Sequence, residues 1–144
     1  MGLSAMTTET AKQNRAMIVR NDPGRLDLLS GSLESGGYNI IIATDEDEAM
    51  DLLGKITPDI VILDTVTSDA HSLHILDSLK NKSNAPVVIV TGDNEIETLQ
   101  LMFNHGADDL IRKPFTTLTL LARLKAKLRR HQNTWELTAH HTEN

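Results

Sequence analysis

Three polar side chains stand at the ends of short aliphatic runs. Asp64 follows Ile60-Val61-Ile62-Leu63, Thr91 follows Val87-Val88-Ile89-Val90, and Lys113 comes just after Leu110-Ile111. If those runs are parallel strands, an acid, a hydroxyl and an ammonium converge on one edge of a sheet. Such a carboxylate is a nucleophile towards phosphorus. The hydroxyl can hydrogen-bond incoming phosphoryl oxygens, and the ammonium can offset their charge. A blander reading of the same residues makes Asp64 a strand-end acid paired with Arg20 or Lys113, Thr91 a cap, and Lys113 a surface lysine.

The elements that must position these groups are legible from pattern. Ala16-Met17-Ile18-Val19 is the first aliphatic run, and Arg20, Asn21 and Asp22 follow it. Asp22 and Pro23 suit an N-cap and a first helical residue, and Leu26, Leu29 and Leu33 form that helix's stripe until Gly36-Gly37. A second strand is expected over Tyr38 to Ala43. Thr44 or Asp45 then caps a helix carrying Ala49, Leu52, Leu53 and Ile56, with acids in its first turn where the helix dipole favours them. Pro58 leads into the third run, apolar on both faces as a central parallel strand should be. Leu73, Leu76 and Leu79 mark a third helix. Ile96, Leu99, Met102 and Phe103 mark a fourth, ending at Gly106, and Leu121, Leu124 and Leu128 mark the last.

Five strand-then-helix units with short connections predict an α/β fold, a doubly wound five-stranded parallel sheet with flanking helices. Its ligand edge is the carboxyl end of the strands. Residues 1–14 read as a flexible leader, 15–131 as the domain, and 132–144, beyond the amphipathic pattern, as a flexible tail.

Composition narrows the function classes. The 144 residues are 40% hydrophobic and only 3% aromatic, which suits an aliphatic core rather than disorder. With no cysteine, disulfides, thiolate zinc sites and cysteine nucleophiles are excluded. A net charge of −6 argues against direct nucleic-acid binding, and no apolar run is long enough for a membrane span. The expected compartment is the cytoplasm. No Gly-rich nucleotide loop and no general acid–base pair is visible, so an enzyme is not expected. His71 and His74 share a helical face, but no carboxylates complete a metal site with them.

Taken in order, Pro58 through Asp64, Pro86 through Thr91-Gly92, Gly106-Ala107-Asp108-Asp109 and Lys113-Pro114-Phe115 resemble the receiver domains of response regulators in two-component signalling. The resemblance covers residues 15–131 and implies a flavodoxin-like receiver fold. It makes Asp64 the candidate phosphoacceptor, Thr91 the switch hydroxyl and Lys113 the phosphoryl-contacting lysine, with a cis peptide before Pro114. It also implies Mg²⁺ as cofactor, held by Asn21, Asp64 and the Val66 carbonyl. The implied partners are a histidine kinase or phosphotransfer protein and a downstream effector protein.

The departures are chemical. Arg20 and Asn21 stand where the family places two adjacent metal-holding acids, a change of three charge units. A guanidinium about 5 Å from Mg²⁺ would repel it by roughly 6–7 kcal/mol at an effective dielectric near 20. Weak or absent Mg²⁺ binding is therefore expected. Leu110 replaces the aromatic switch residue, and Ser68 and Ser72 replace the usual proline and glycine after the phosphoacceptor.

The last helix resembles OmpR-type receivers. There Asp108, Asp109, Arg123 and Lys125 would pair across a homodimer built on the face from helix four to helix five; an ordinary solvated basic face is the alternative. The few residues after His131 are too short for an effector domain, so output is expected through a partner or self-association. Two readings follow: a phosphorelay receiver with an atypical metal site, or a phosphorylation-independent pseudo-receiver that serves as an interaction module.

Overall fold

The structure, a computed structural model, describes the backbone of residues 13–20, 28–65 and 70–143, and side chains as far as His131. Strands β1 (Arg15–Val19), β2 (Asn39–Ala43), β3 (Ile60–Thr65), β4 (Val87–Thr91) and β5 (Asp109–Arg112) alternate with helices. The helices are α1 (Leu28–Ser35), α2 (Glu46–Leu53), α3 (Ala70–Lys82), α4 (Ile96–Asn104) and α5 (Thr117–Glu143). The sheet is wholly parallel in the order β2-β1-β3-β4-β5. Its winding reverses between β1 and β3, so a crevice opens at their carboxyl ends. That crevice lies between Arg20 and Asp64.

Strand side chains alternate between two cores. Met17, Val19, Val61, Leu63 and Ile89 pack with Ile75, Leu76 and Leu79 of α3 and Met102 of α4. On the opposite face Ile18, Ile60, Ile62, Val88 and Val90 pack with Leu29 and Leu33 of α1 and Leu120 and Leu124 of α5. Strands buried on both faces explain the unbroken aliphatic runs.

Local chemistry sets the helix ends. Asp45 Oδ1 caps α2 by accepting the Glu48 N–H at 2.7 Å, while Glu48 Oε1 reaches back to accept the N–H of Thr44, the residue before the cap, at 3.2 Å. Gly37 and Gly106 have φ of +86° and +103°. Each closes a helix with the paired bonds of a left-handed cap: Tyr38 N–H to Leu33 O, and Ala107 N–H to Met102 O.

Several expectations shift. The second helix stops at Leu53, so Ile56 lies in the following loop. Ile96 and Phe103 are exposed on α4 although they fit its stripe; Met102 is the residue that enters the core. Beyond the end of the amphipathic pattern, the backbone of α5 stays helical to Glu143. No Pro or Gly interrupts 132–143, and each added residue gains a hydrogen bond once the helix is nucleated. The first helix's expected start at Asp22, Pro23 and Leu26 lies outside the described residues, as does the leader through residue 12.

Tyr38 enters the second core, and burial, then the charge of Asp59, push its phenol above the ordinary value of 10.0. The folded chain therefore keeps this proton after the unfolded chain has lost it. The associated stability is full below pH 10.0 and is lost as pH rises towards the raised value. In urea melts from neutral pH to about pH 11 the wild type should lose more stability than Tyr38→Phe. Parallel pH curves for the two proteins would contradict this.

Candidate functional site

The site begins with Arg20, the first residue after β1. Its N–H donates to Ala43 O at 3.0 Å, which extends the β1–β2 ladder by one bond, and its side chain turns inward to only 5% exposure. The guanidinium Nη2 donates to Ser30 Oγ of α1 at 3.0 Å, and Nε lies 4.0 Å from Asp64 Oδ2.

Asp64 sits near the end of β3, opposite Val90 in the register. Its other oxygen, Oδ1, is 2.7 Å from Lys113 Nζ. One carboxylate thus lies between two cations delivered by different connections: Arg20 from β1 and Lys113 from the turn after β5. The carboxylate and guanidinium are 12% and 4% exposed, whereas the ammonium is 31% exposed. The gross attraction of the 4.0 Å pair is about 4 kcal/mol at an effective dielectric of 20, offset by the cost of desolvating a guanidinium.

Thr91 is fully buried at the end of β4, with Thr65 as its register partner. Its Oγ1 accepts the Asp93 N–H at 3.0 Å, and its carbonyl accepts the Lys113 N–H at 2.8 Å. These bonds tie the two loops that carry the hydroxyl and the ammonium. The Lys113-Pro114 peptide is cis. Leu110 is packed in the core beside Met102 and Ile89, so the position expected to carry an aromatic switch holds a buried aliphatic group. Ser72 is buried and shares a hydrogen bond with Thr65 at 3.1 Å, linking β3 to α3.

The structure thus brings Asp64, Lys113, Thr91 and Arg20 to one edge. Asn21 and Val66, named from sequence as metal ligands, lie outside the described residues, as does Ser68. The four residues expected at a dimer face behave differently. Asp108 accepts from Lys80 Nζ at 2.9 Å and from the Val87 N–H at 2.7 Å. Asp109 is buried and accepts from Arg123 Nε at 3.0 Å in the same chain. Lys125 is exposed. His74 Nε2 lies 3.2 Å from Glu46 Oε2, and His105 Nδ1 lies 2.8 Å from Asp77 Oδ1. Both pairs join neighbouring helices.

Sequence reasoning missed Ser30, the anchor of Arg20. A serine among the polar positions of a helix carries no signal until its neighbour across the crevice is known.

Comparisons with known proteins agree with this fold. The model of the response regulator receiver domain family matches residues 16–125. A CheY-like receiver domain protein from Methanospirillum hungatei JF-1 is 27% identical with a TM-score of 0.73; the match covers 85% of this chain and 99% of that one. A two-component response regulator from Clostridium difficile is 30% identical with a TM-score of 0.72, over 82% and 98% of the two chains. NtrX from Brucella abortus, in complex with ATP, is 27% identical with a TM-score of 0.78, over 88% of this chain and 29% of that longer one. The family match runs from β1 across the whole sheet into α5 and takes in the crevice with its acid, hydroxyl and lysine; the chain belongs to the receiver domain family of response regulators, the signalling modules of two-component systems.

Proposed function

We propose that this receiver works as a phosphorylation-independent interaction module, its pocket held in one state by cations of its own. The observation that carries this reading is Arg20, 5% exposed, anchored on Ser30 and 4.0 Å from Asp64. The donor set does not fit Mg²⁺, which requires oxygen ligands in near-octahedral geometry. Asp64 has an ammonium against one oxygen and a guanidinium near the other. A buried guanidinium cannot swing to water to make room as a surface arginine could.

Ile96 and Phe103 on α4 and Leu118 at the start of α5 are exposed apolar groups, which supports contact with a protein partner. The partner is an effector or kinase-side protein in the cytoplasm rather than nucleic acid. Among the described residues no helix is long and apolar enough to cross a membrane.

A second reading has its own support. Lys113 at 2.7 Å and Thr91 beside the same strand end are placed as a phosphoryl-accepting Asp64 would need. Incubation with acetyl phosphate and Mg²⁺, followed by intact-mass measurement, separates the two. The interaction-module reading expects no gain of one phosphoryl group. A robust gain that disappears in Asp64→Asn would replace it with the phosphorelay reading.

A further inference from the structure

Strand β2 is an outer strand of the sheet, paired with β1 alone. Its sequence, Asn39-Ile40-Ile41-Ile42-Ala43, has strong β-propensity and carries neither of the residue types, proline and charged side chains, that blunt an edge. It pairs with β1 in unbroken register, so no bulge turns it away. Ile42 is 42% exposed at this edge. Among the described residues no strand pairs with the outer row of peptide groups on β2, which makes that row a template for another strand.

The two ends of that edge carry opposite charge. Beyond its carboxyl end come Asp45, Glu46, Asp47 and Glu48, of which Asp45, Asp47 and Glu48 are exposed. At its amino end Gly37 and Tyr38 share a groove with Lys125 and Arg129 of α5. Both cations are exposed, and neither has an acidic partner among the described residues. An edge that is apolar in the middle, acidic at one end and basic at the other is complementary to itself when reversed. A two-fold axis normal to the sheet at Ile41 would place Ile40 opposite Ile42 and Asn39 opposite Ala43 of the second copy. Asp45 would then stand opposite Gly37, beside the groove that holds Lys125 and Arg129. Such a contact is isologous and closes after two copies instead of growing into a fibre.

We propose that β2 is a homodimer surface, on which two copies of this chain pair antiparallel to form one continuous sheet, steered by Asp45 and Asp47 of each copy against Lys125 and Arg129 of the other. This surface lies at the opposite edge from β5 and does not depend on what Asp64 does. Antiparallel pairing exchanges main-chain hydrogen bonds, and the isoleucines add cross-strand contacts.

Sedimentation velocity over a concentration series tests it on the full chain. The wild type should dimerise reversibly, and the amides of Ile40 to Ile42 should exchange more slowly with solvent as dimer forms. Ile42→Lys should raise the dissociation constant about tenfold or more by setting two ammonium groups near the axis. Asp47→Arg and Arg129→Glu should each weaken the dimer, and combining them should restore it. Arg123→Ala, which touches only the β5 side, should leave it unchanged. A wild type that stays monomeric overturns the proposal, and so does a dimer that survives Ile42→Lys. Dimerisation that appears only when residues 1–12 are removed also overturns it, by assigning the edge to the chain's own N-terminal segment.

Discussion

Exchanging Arg20 and Asn21 for aspartate together is expected to raise Mg²⁺ affinity far above that of the wild type. Arg20→Asp moves the site by two charge units and Asn21→Asp by one, all in the direction a divalent cation requires. Removing the guanidinium alone relieves a repulsion of up to about 6–7 kcal/mol. Even half of that corresponds to a change of more than about a hundredfold in affinity. The double variant should show a second signature. Without Mg²⁺ it puts a carboxylate at position 20, beside Asp64, which is 12% exposed, so like charges destabilise the apo form. Adding Mg²⁺ should recover that loss, because an ion that binds only the folded state stabilises it by mass action. Titration calorimetry and melting curves with and without Mg²⁺ read both effects. A folded double variant with no binding heat and no Mg²⁺-dependent melting shift would show that charge at positions 20 and 21 is not what keeps the ion out.

Much of the fold was visible in the sequence because a parallel sheet covered on both faces has a simple signature. Ile60 to Leu63 and Val87 to Val90 are buried on both sides, so each is an uninterrupted aliphatic run that turn residues punctuate. The helix ends at Thr44 or Asp45, at Gly36-Gly37 and at Gly106 were equally legible, since each rests on local backbone geometry; the structure selects Asp45 and Gly37. What escaped was decided by tertiary partners. Periodicity places Ile96 and Phe103 on the apolar stripe of α4 with Met102, but the nine-residue helix buries only Met102. A stripe states which face is apolar and not how much of it another element covers. Similarly, amphipathicity ends at His131 while helical backbone continues to Glu143, because helix propagation needs no core beneath it.

The site divides in the same way. Asp64, Thr91 and Lys113 were legible because each follows a strand, and strand ends in this topology meet along one edge. Arg20 stood out as a departure from the family pattern, but two outcomes were open: a side chain turned to solvent or one turned inward. The bond to Ser30 Oγ and the charge of Asp64 hold the inward orientation, and Ser30 carries no sequence signal. Asp109 and Arg123 illustrate the converse. An acid and a base at positions suited to a dimer also lie within reach of each other across β5 and α5 of one chain, and there they pair. Spacing identifies complementary groups without stating on which molecule they meet.

Neutralising Asp64 gives the sharpest statement about the pocket, because the sign of the result depends on which charges surround it. In a pocket dominated by acids, Asp64→Asn removes a repulsion and stabilises the fold. Here the carboxylate lies between Arg20 and Lys113, so its loss leaves two cations facing each other. Lys113, 31% exposed, can turn to water, but Arg20 is 4% exposed and tied to Ser30. Removing one partner of a buried pair costs about 3–5 kcal/mol, and partial exposure of Lys113 lowers the expectation to about 2 kcal/mol of lost stability. Arg20→Met should cost less, since Asp64 keeps Lys113. Combining Arg20→Met with Asp64→Asn should recover part of the loss, with a coupling of about 1–3 kcal/mol in a double-mutant cycle read from urea melts. Stabilisation by Asp64→Asn, or a cycle that closes to zero, would mean that the guanidinium does not act on the carboxylate. The pocket would then be an ordinary acidic one, and the case for an interaction module that works without phosphorylation would lose its physical basis.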